Sequence, residues 1–152
     1  MKTFISLLNN VYINIFIPIF LTIIVNIIIF SYKLNITKNK INNPYIPPGY
    51  VIGIIWIIIF GLLGYVQYIL RNQNNIFEFL LIIFLLVFCI LYPFFTNRLQ
   101  NLKIGLILNA ITLILSFTIS LFIFNVSKKA FYYLIPLLLW ISYINLVDRL
   151  NN

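Results

Sequence analysis

The chain has no histidine, a single cysteine and only two acidic residues, Glu78 and Asp148, in 152 residues. Each shortage removes a kind of chemistry. Without histidine the commonest general base and metal ligand is missing. The lone thiol of Cys89 can form neither an intrachain disulfide nor a metal site, and within an apolar run it reads as a small buried apolar residue. Two carboxylates on different segments do not make the pair that glycosidic chemistry needs. Serines and threonines are present, but nothing beside them would activate a hydroxyl as a nucleophile. Charge of either sign is scarce, at 8% of residues. A soluble domain carries roughly 25%, so this chain lacks the polar atoms to cover a water-facing surface.

Apolar residues make up 63% and fall into five runs, each near the ~20 residues that cross a hydrocarbon core. The runs lie at about Val11–Tyr32, Pro48–Leu70, Phe77–Thr96, Leu102–Phe124 and Ala130–Arg149. They predict an all-α integral membrane bundle of five transmembrane helices, with residues 1–152 as a single domain. The first run is too long for a cleaved leader and no small-x-small site follows it, so it is predicted to be a retained span. Polarity collects in the connections, of which Lys33–Pro47 is the longest; the others are short and make neighbouring spans antiparallel. No charge lies near the middle of a run, which argues against an ion-coupled pump or a voltage sensor.

Ten Lys/Arg give a net charge of +8. They sit at span ends, where they meet anionic headgroups, and they form no stripe or groove-entering motif. The expected partner is therefore the lipid bilayer and not a nucleic acid. One side of the membrane would hold Lys2, Arg71, Lys128 and Lys129, and the other Lys33, Lys38, Lys40, Arg98, Lys103 and Arg149. The positive-inside rule then places the long first loop and the C-terminus in the cytosol of this multi-pass protein.

The stretch from Pro44 to Gln67 reads PYIPPGYVIGIIWIIIFGLLGYVQ. Gly49, Gly53, Trp56, Phe60, Gly64 and Gln67 recur at three- and four-residue steps, which at ~100° per residue is one helical face. Neutral polar stripes follow the same spacing elsewhere: Asn14, Pro18, Thr22 and Asn26 in the first span, and Asn109, Thr112, Ser116 and Ser120 in the fourth. The third offers Cys89, Tyr92 and Thr96, and the fifth Pro136, Trp140 and Tyr143. Turned inward, these faces would wall a cavity with aromatic rings and a few donors, which suits a flat hydrophobic ligand. In a plainer reading the stripes only knit the helices together. The glycine-and-ring face of the second span is expected to look into the shared cavity. Trp56, Trp140 and Tyr143 are expected to line it, Asn109 to supply a polar contact, and the Pro47–Pro48 loop to form its lid, stiffened by the prolines.

Tyr45, Pro47, Pro48, Tyr50, Val51, Gly53, Trp56, Phe60 and Gly64 resemble the run W-x-P-P-x-W-V-x-G-P-x-W-x-x-x-Y-x-x-x-G of the translocator protein family, the tryptophan-rich sensory proteins or peripheral benzodiazepine receptors. Two of the family's tryptophans are tyrosines here, its tyrosine is Phe60, and Ile54 stands for a proline. Val126, Ser127 and Ala130, then Leu134, Pro136, Leu138 and Trp140, are similar to the family's V-S-P-x-A and L-x-P-Y-L-x-W. The polar and indole set of the family's third helix falls on Ile83, Val87, Phe88 and Ile90, and the nearest counterparts of its C-terminal L-N pair are Ile144–Asn145 or Val147–Asp148.

The resemblance implies a membrane-embedded protein, often a homodimer, that binds flat hydrophobic ligands of the porphyrin or sterol class for transport or sensing. It adds Tyr45, Tyr50 and Phe60 to the expected ligand-binding residues, and Leu139, Tyr143 and Arg149 as a cholesterol-recognition pattern. No cofactor is required; a porphyrin, haem included, would be a ligand. Two other readings stay open. One is an enzyme that degrades porphyrin through indole radicals of Trp56 and Trp140, although no acid/base, nucleophile or metal constellation supports catalysis. The other is a structural or regulatory membrane partner without a ligand, in which Gly49-x3-Gly53 serves helix pairing.

Overall fold

Asn10 starts the first helix by accepting the N–H of Tyr12 on its side chain at 2.9 Å, an N-cap contact that satisfies one of the unpaired amides of the first turn. The structure, a computed structural model, describes residues 10–32, 45–99 and 102–150. Lys2, Lys33, Lys38, Lys40 and Pro44 lie outside the described residues. The helices are α1 (Val11–Ser31), α2 (Gly49–Asn72), α3 (Ile76–Leu99), α4 (Leu102–Val126), α5 (Lys128–Tyr132) and α6 (Ile135–Leu150), with no strand among the described residues. Five spans are long and apolar enough to cross a membrane, the fifth made of α5 and α6 together over Lys128–Val147. The chain is an integral membrane helical bundle, as its hydropathy predicts. Four spans begin and end within a few residues of the predicted positions.

The fifth span departs from the predicted continuous helix. It breaks at Tyr133–Leu134, between α5 and α6. Pro136 has no N–H to give the carbonyl of Tyr132, and its ring crowds that carbonyl, so the helix stops one turn before it. Ser127 caps the short α5 by accepting the Ala130 N–H at 3.3 Å.

The α2–α3 turn is equally local in origin. Asn74 adopts φ 58°, Asn74 N–H bonds the Arg71 carbonyl at 3.0 Å and Asn75 N–H bonds the Leu70 carbonyl at 2.9 Å. That pair is the Schellman closure of a helix end, which needs a left-handed residue. Asn74→Ala is expected to lower stability by about 1 kcal/mol, read as a lower thermal midpoint in detergent.

In lipid, apolarity does not separate inside from outside, because acyl chains are as greasy as leucine; close approach and hydrogen bonding do. Phe16, Phe20, Ile58, Phe84 and Phe117 face outward, while Asn14, Thr22, Asn109, Thr112, Ser116 and Ser120 are buried. The polar stripes therefore point into the bundle as expected. Most of their bonds are local: Thr22 Oγ1 donates to the Pro18 carbonyl at 2.8 Å and Ser116 Oγ to the Thr112 carbonyl at 2.7 Å, the back-bonding by which a hydroxyl satisfies itself within its own helix. The apolar core between the helices includes Leu63, Leu70, Ile82, Leu85, Ile119, Ile123, Leu134 and Leu137.

α1 packs chiefly on α2, α2 on α3, α3 on α4 and α4 on α6, while α5 touches α4 and α2. The α1–α2 seam corrects one expectation. Built on Gly53, a Cβ would stand 3.2 Å from Asn26 Nδ2; on Gly61, 3.1 Å from Ile19 Cδ1; on Gly64, 2.2 Å from the backbone oxygen of Asn14. The glycine face of α2 therefore meets α1 at close range instead of lining a cavity. Asn26 Nδ2 ties the seam to the Gly53 carbonyl at 3.4 Å.

Candidate ligand groove

The described residues do contain a hollow, on a neighbouring face of α2. It has a volume of about 490 Å³ and is lined by Pro47, Ile55, Ile58, Ile59, Pro136, Leu139, Trp140 and Tyr143. One wall is α2, the other is α6, and Pro47 closes the end where α2 begins. Helical spacing produces both walls: Ile55, Ile58 and Ile59 recur at three and four residues, as do Pro136, Leu139, Trp140 and Tyr143. The floor is buried, with Ile59 at 3% exposure, whereas the rim residues Ile58 and Leu139 reach 57% and 66%. The hollow is thus a groove open on the lipid-facing surface. Its volume falls in the range of small-molecule sites, about 300–1,000 Å³.

Two aromatic rings form its platform. The Trp140 and Tyr143 rings stack with centroids 5.8 Å apart and planes at 25°. Tyr143 Oη donates to the backbone carbonyl of Tyr45, which fastens α6 to the segment preceding α2. Trp140 Nε1 is buried and has no hydrogen-bond partner among the described residues, so the indole offers the groove its ring while its N–H lies inside the protein. Among the described residues no charged side chain lines the groove.

The predicted site residues divide accordingly. Pro47, Trp140 and Tyr143 meet in the groove, and Tyr45 joins them through its carbonyl. Pro48 is the N-cap residue of α2. Tyr50 is exposed at 65%, on the first turn of α2. Trp56 and Phe60 are not among the lining residues. Their rings lie 5.6 Å apart, with Phe60 buried in the apolar core and Trp56 packed against it.

Asn109 is engaged elsewhere. Tyr92 Oη donates to its Oδ1, and Asn145 Nδ2 donates to its backbone carbonyl at 3.0 Å and to that of Ile141 at 2.9 Å. This buried knot joins α3, α4 and α6 and holds α6 with its ring face toward the groove. Of the cholesterol-recognition pattern, Leu139 and Tyr143 line the groove, while Arg149 is exposed in the last turn of α6.

Sequence reasoning did not single out Ile55, Ile58 and Ile59. Nothing distinguishes them from the isoleucines that face lipid. Asn145 carried a weak signal, as an amide within an apolar span.

The fold and groove define an integral membrane protein of five spans with an apolar hollow between its second and fifth. The chain belongs to the TspO/MBR family, whose family model matches residues 14–148 and so embraces all five spans. No individually curated protein matches it. It is a translocator-like membrane protein.

Proposed function

We propose that the protein binds flat, apolar ligands of the porphyrin or sterol class in the α2–α6 groove, as the binding step of transport or sensing. The observation that carries this reading is the Trp140–Tyr143 stack exposed in a groove of about 490 Å³. A planar ring system gains most from such a surface, through stacking in addition to area removed from water or lipid. Family membership supports the same reading. Titration of the purified protein with protoporphyrin and with cholesterol in mild detergent tests it; the absence of saturable binding of either ligand refutes it.

The ligand is held by its plane and not by a metal. The chain has no histidine, its cysteine is buried in the core, and the Tyr143 hydroxyl is hydrogen-bonded to a backbone carbonyl. Haem is therefore expected to bind no more tightly than metal-free protoporphyrin, without the spectral change of axial ligation. A much higher haem affinity would place an iron ligand in the site and contradict this arrangement.

Tyr143 also acts as the fastening of the lid. Tyr143→Phe keeps the stack and removes the bond to Tyr45, costing about 1 kcal/mol. Hydrogen exchange around Tyr45–Val51 is expected to accelerate in the variant. Unchanged exchange there would show that the segment is held by other contacts.

A further inference from the structure

The seam between α2 and the fifth span does not end with the groove. Ile58, Leu62 and Tyr65 continue the groove face of α2 at four- and three-residue steps, and Lys129, Tyr133, Pro136 and Trp140 do the same on the fifth span. The two spans meet again at Tyr65 and Tyr133, whose rings lie edge to face with centroids 4.8 Å apart. Lys129 Nζ sits over the Tyr65 ring, 5.9 Å from its centroid, within the range of a cation–π contact. Lys128 and Lys129 are exposed and begin the span, at the level where tyrosines and headgroups meet. Among the described residues this end of the bundle holds Arg71, Lys128 and Lys129 against one carboxylate, Glu78. The opposite end of the groove is bridged by Pro47 and by the bond from Tyr143 Oη to the Tyr45 carbonyl. Between the two ends the hollow of about 490 Å³ opens sideways, past the exposed Ile58 and Leu139. Water finds no partners on such a lining, and a void forfeits dispersion contacts along it. Acyl chain is what reaches the opening.

We propose that Lys129 and the groove together form a binding site for one anionic phospholipid, with its phosphate at Lys129 and one acyl chain lying along the seam into the groove. The lengths agree. From Tyr65 back to Ile55 the helix α2 spans about 15 Å. An acyl chain covers half of a ~30 Å hydrocarbon core, again about 15 Å. A chain that enters from the Lys129 end therefore stops at the bridged end, beside Trp140. The lipid site goes beyond the binding of flat ligands, because it stands on the lateral opening and the cation and not on the ring stack. It also gives that binding a regulator. Lipid chain and flat ligand share one hollow, so one leaves before the other enters.

The test uses the full chain in mild detergent with Trp56→Leu, which leaves Trp140 in the groove as the sole tryptophan. Phosphatidylglycerol and phosphatidylcholine with the same brominated chains are titrated, since bromine quenches an indole that it touches. Phosphatidylglycerol is expected to quench at about fivefold lower concentration, the worth of one lysine at a headgroup. Lys129→Gln should bring the two lipids level, while Lys128→Gln, which removes an equal charge from the same end, should keep the preference. Equal loss in the two variants makes the attraction a general surface charge and overturns the site. Equal quenching by the two lipids before either lysine is changed overturns it as well. Occupancy of the groove is read by competition: phosphatidylglycerol is expected to raise the apparent Kd of the uncharged dimethyl ester of protoporphyrin more than phosphatidylcholine does at the same concentration. An ester affinity indifferent to phosphatidylglycerol places the lipid outside the groove and overturns the shared site. If the ester does not bind at all, while the preference for phosphatidylglycerol and its loss in Lys129→Gln hold, the flat-ligand reading falls and the lipid site stands.

Discussion

Gly64→Ala is expected to lower stability by about 3 kcal/mol, the upper end of the cost of overfilling a packed site, and to be the most damaging alanine substitution at any glycine of the bundle. A Cβ at this position would stand 2.2 Å from the Asn14 backbone oxygen and 2.9 Å from both the Asn14 carbonyl carbon and the Ile15 Cα. These are backbone atoms of the neighbouring helix, so no rotamer relieves the clash and α1 must move away. Two controls grade the effect. At Gly53 the nearest atoms belong to the Asn26 side chain, at 3.2 Å, which can yield by giving up its 3.4 Å bond to the Gly53 carbonyl; the cost should be about 1 kcal/mol. At Gly105 nothing lies within 4 Å, so alanine should raise stability by up to about 1 kcal/mol through helix propensity. Thermal unfolding in one detergent orders the three, and a Gly64→Ala protein as stable as the wild type would show that α1 and α2 do not cross in this way.

This seam also shows what the sequence reveals of such a bundle and what it leaves hidden. Span number and placement follow from hydropathy, because a backbone in lipid must satisfy itself within helices of fixed length. Which face of a helix is buried follows from its small and polar residues: Asn14, Pro18, Thr22, Ser116 and Ser120 are all buried where their spacing places them. Which neighbour that face meets does not follow, since a glycine stripe serves helix contact and ligand approach alike. The spacing of the α2 stripe suits a cavity wall, yet the stripe packs against α1. Similarly, the place of Asn109 on a polar stripe suits a ligand contact, while its partners Tyr92 and Asn145 lie on two other helices, beyond the reach of local spacing. The groove itself is built largely from isoleucine. Ile58 and Ile59 line it and Ile54 is exposed at 54%, so chemistry alone does not tell one from another. The ring wall of α6, with Trp140 and Tyr143 one turn apart, and the Pro47 end of the groove are legible in the sequence. Pro136 was visible too, but its consequence is a break next to a groove, and the groove exists only once α2 and α6 are side by side.

The two tryptophans consequently separate, and ligand binding is expected to respond to one and not the other. Trp140→Leu should weaken protoporphyrin binding by about 2 kcal/mol, roughly thirtyfold in Kd, because it removes the larger ring of the platform and leaves Tyr143 without its stacking partner at 5.8 Å. Leucine keeps the site apolar, so the loss measures the ring and not a change of polarity. Trp56→Leu should change Kd by less than about threefold. Its indole packs against Phe60 and the core, and is not among the residues that line the groove. The affinity and not the depth of fluorescence quenching is the quantity to compare, since energy transfer to a porphyrin reaches beyond direct contact and each variant retains one tryptophan as reporter. Equal losses in the two variants would move the site to the ring-bearing face of α2 and away from the α2–α6 groove. Unchanged affinity in the double variant Trp56→Leu, Trp140→Leu would remove indole stacking from recognition altogether. A loss confined to Trp140 ties recognition to the one face of α6 that the Tyr92–Asn109–Asn145 knot orients. Asn145→Leu should then weaken binding in the same direction without touching the ligand, by letting that face turn away from Pro47.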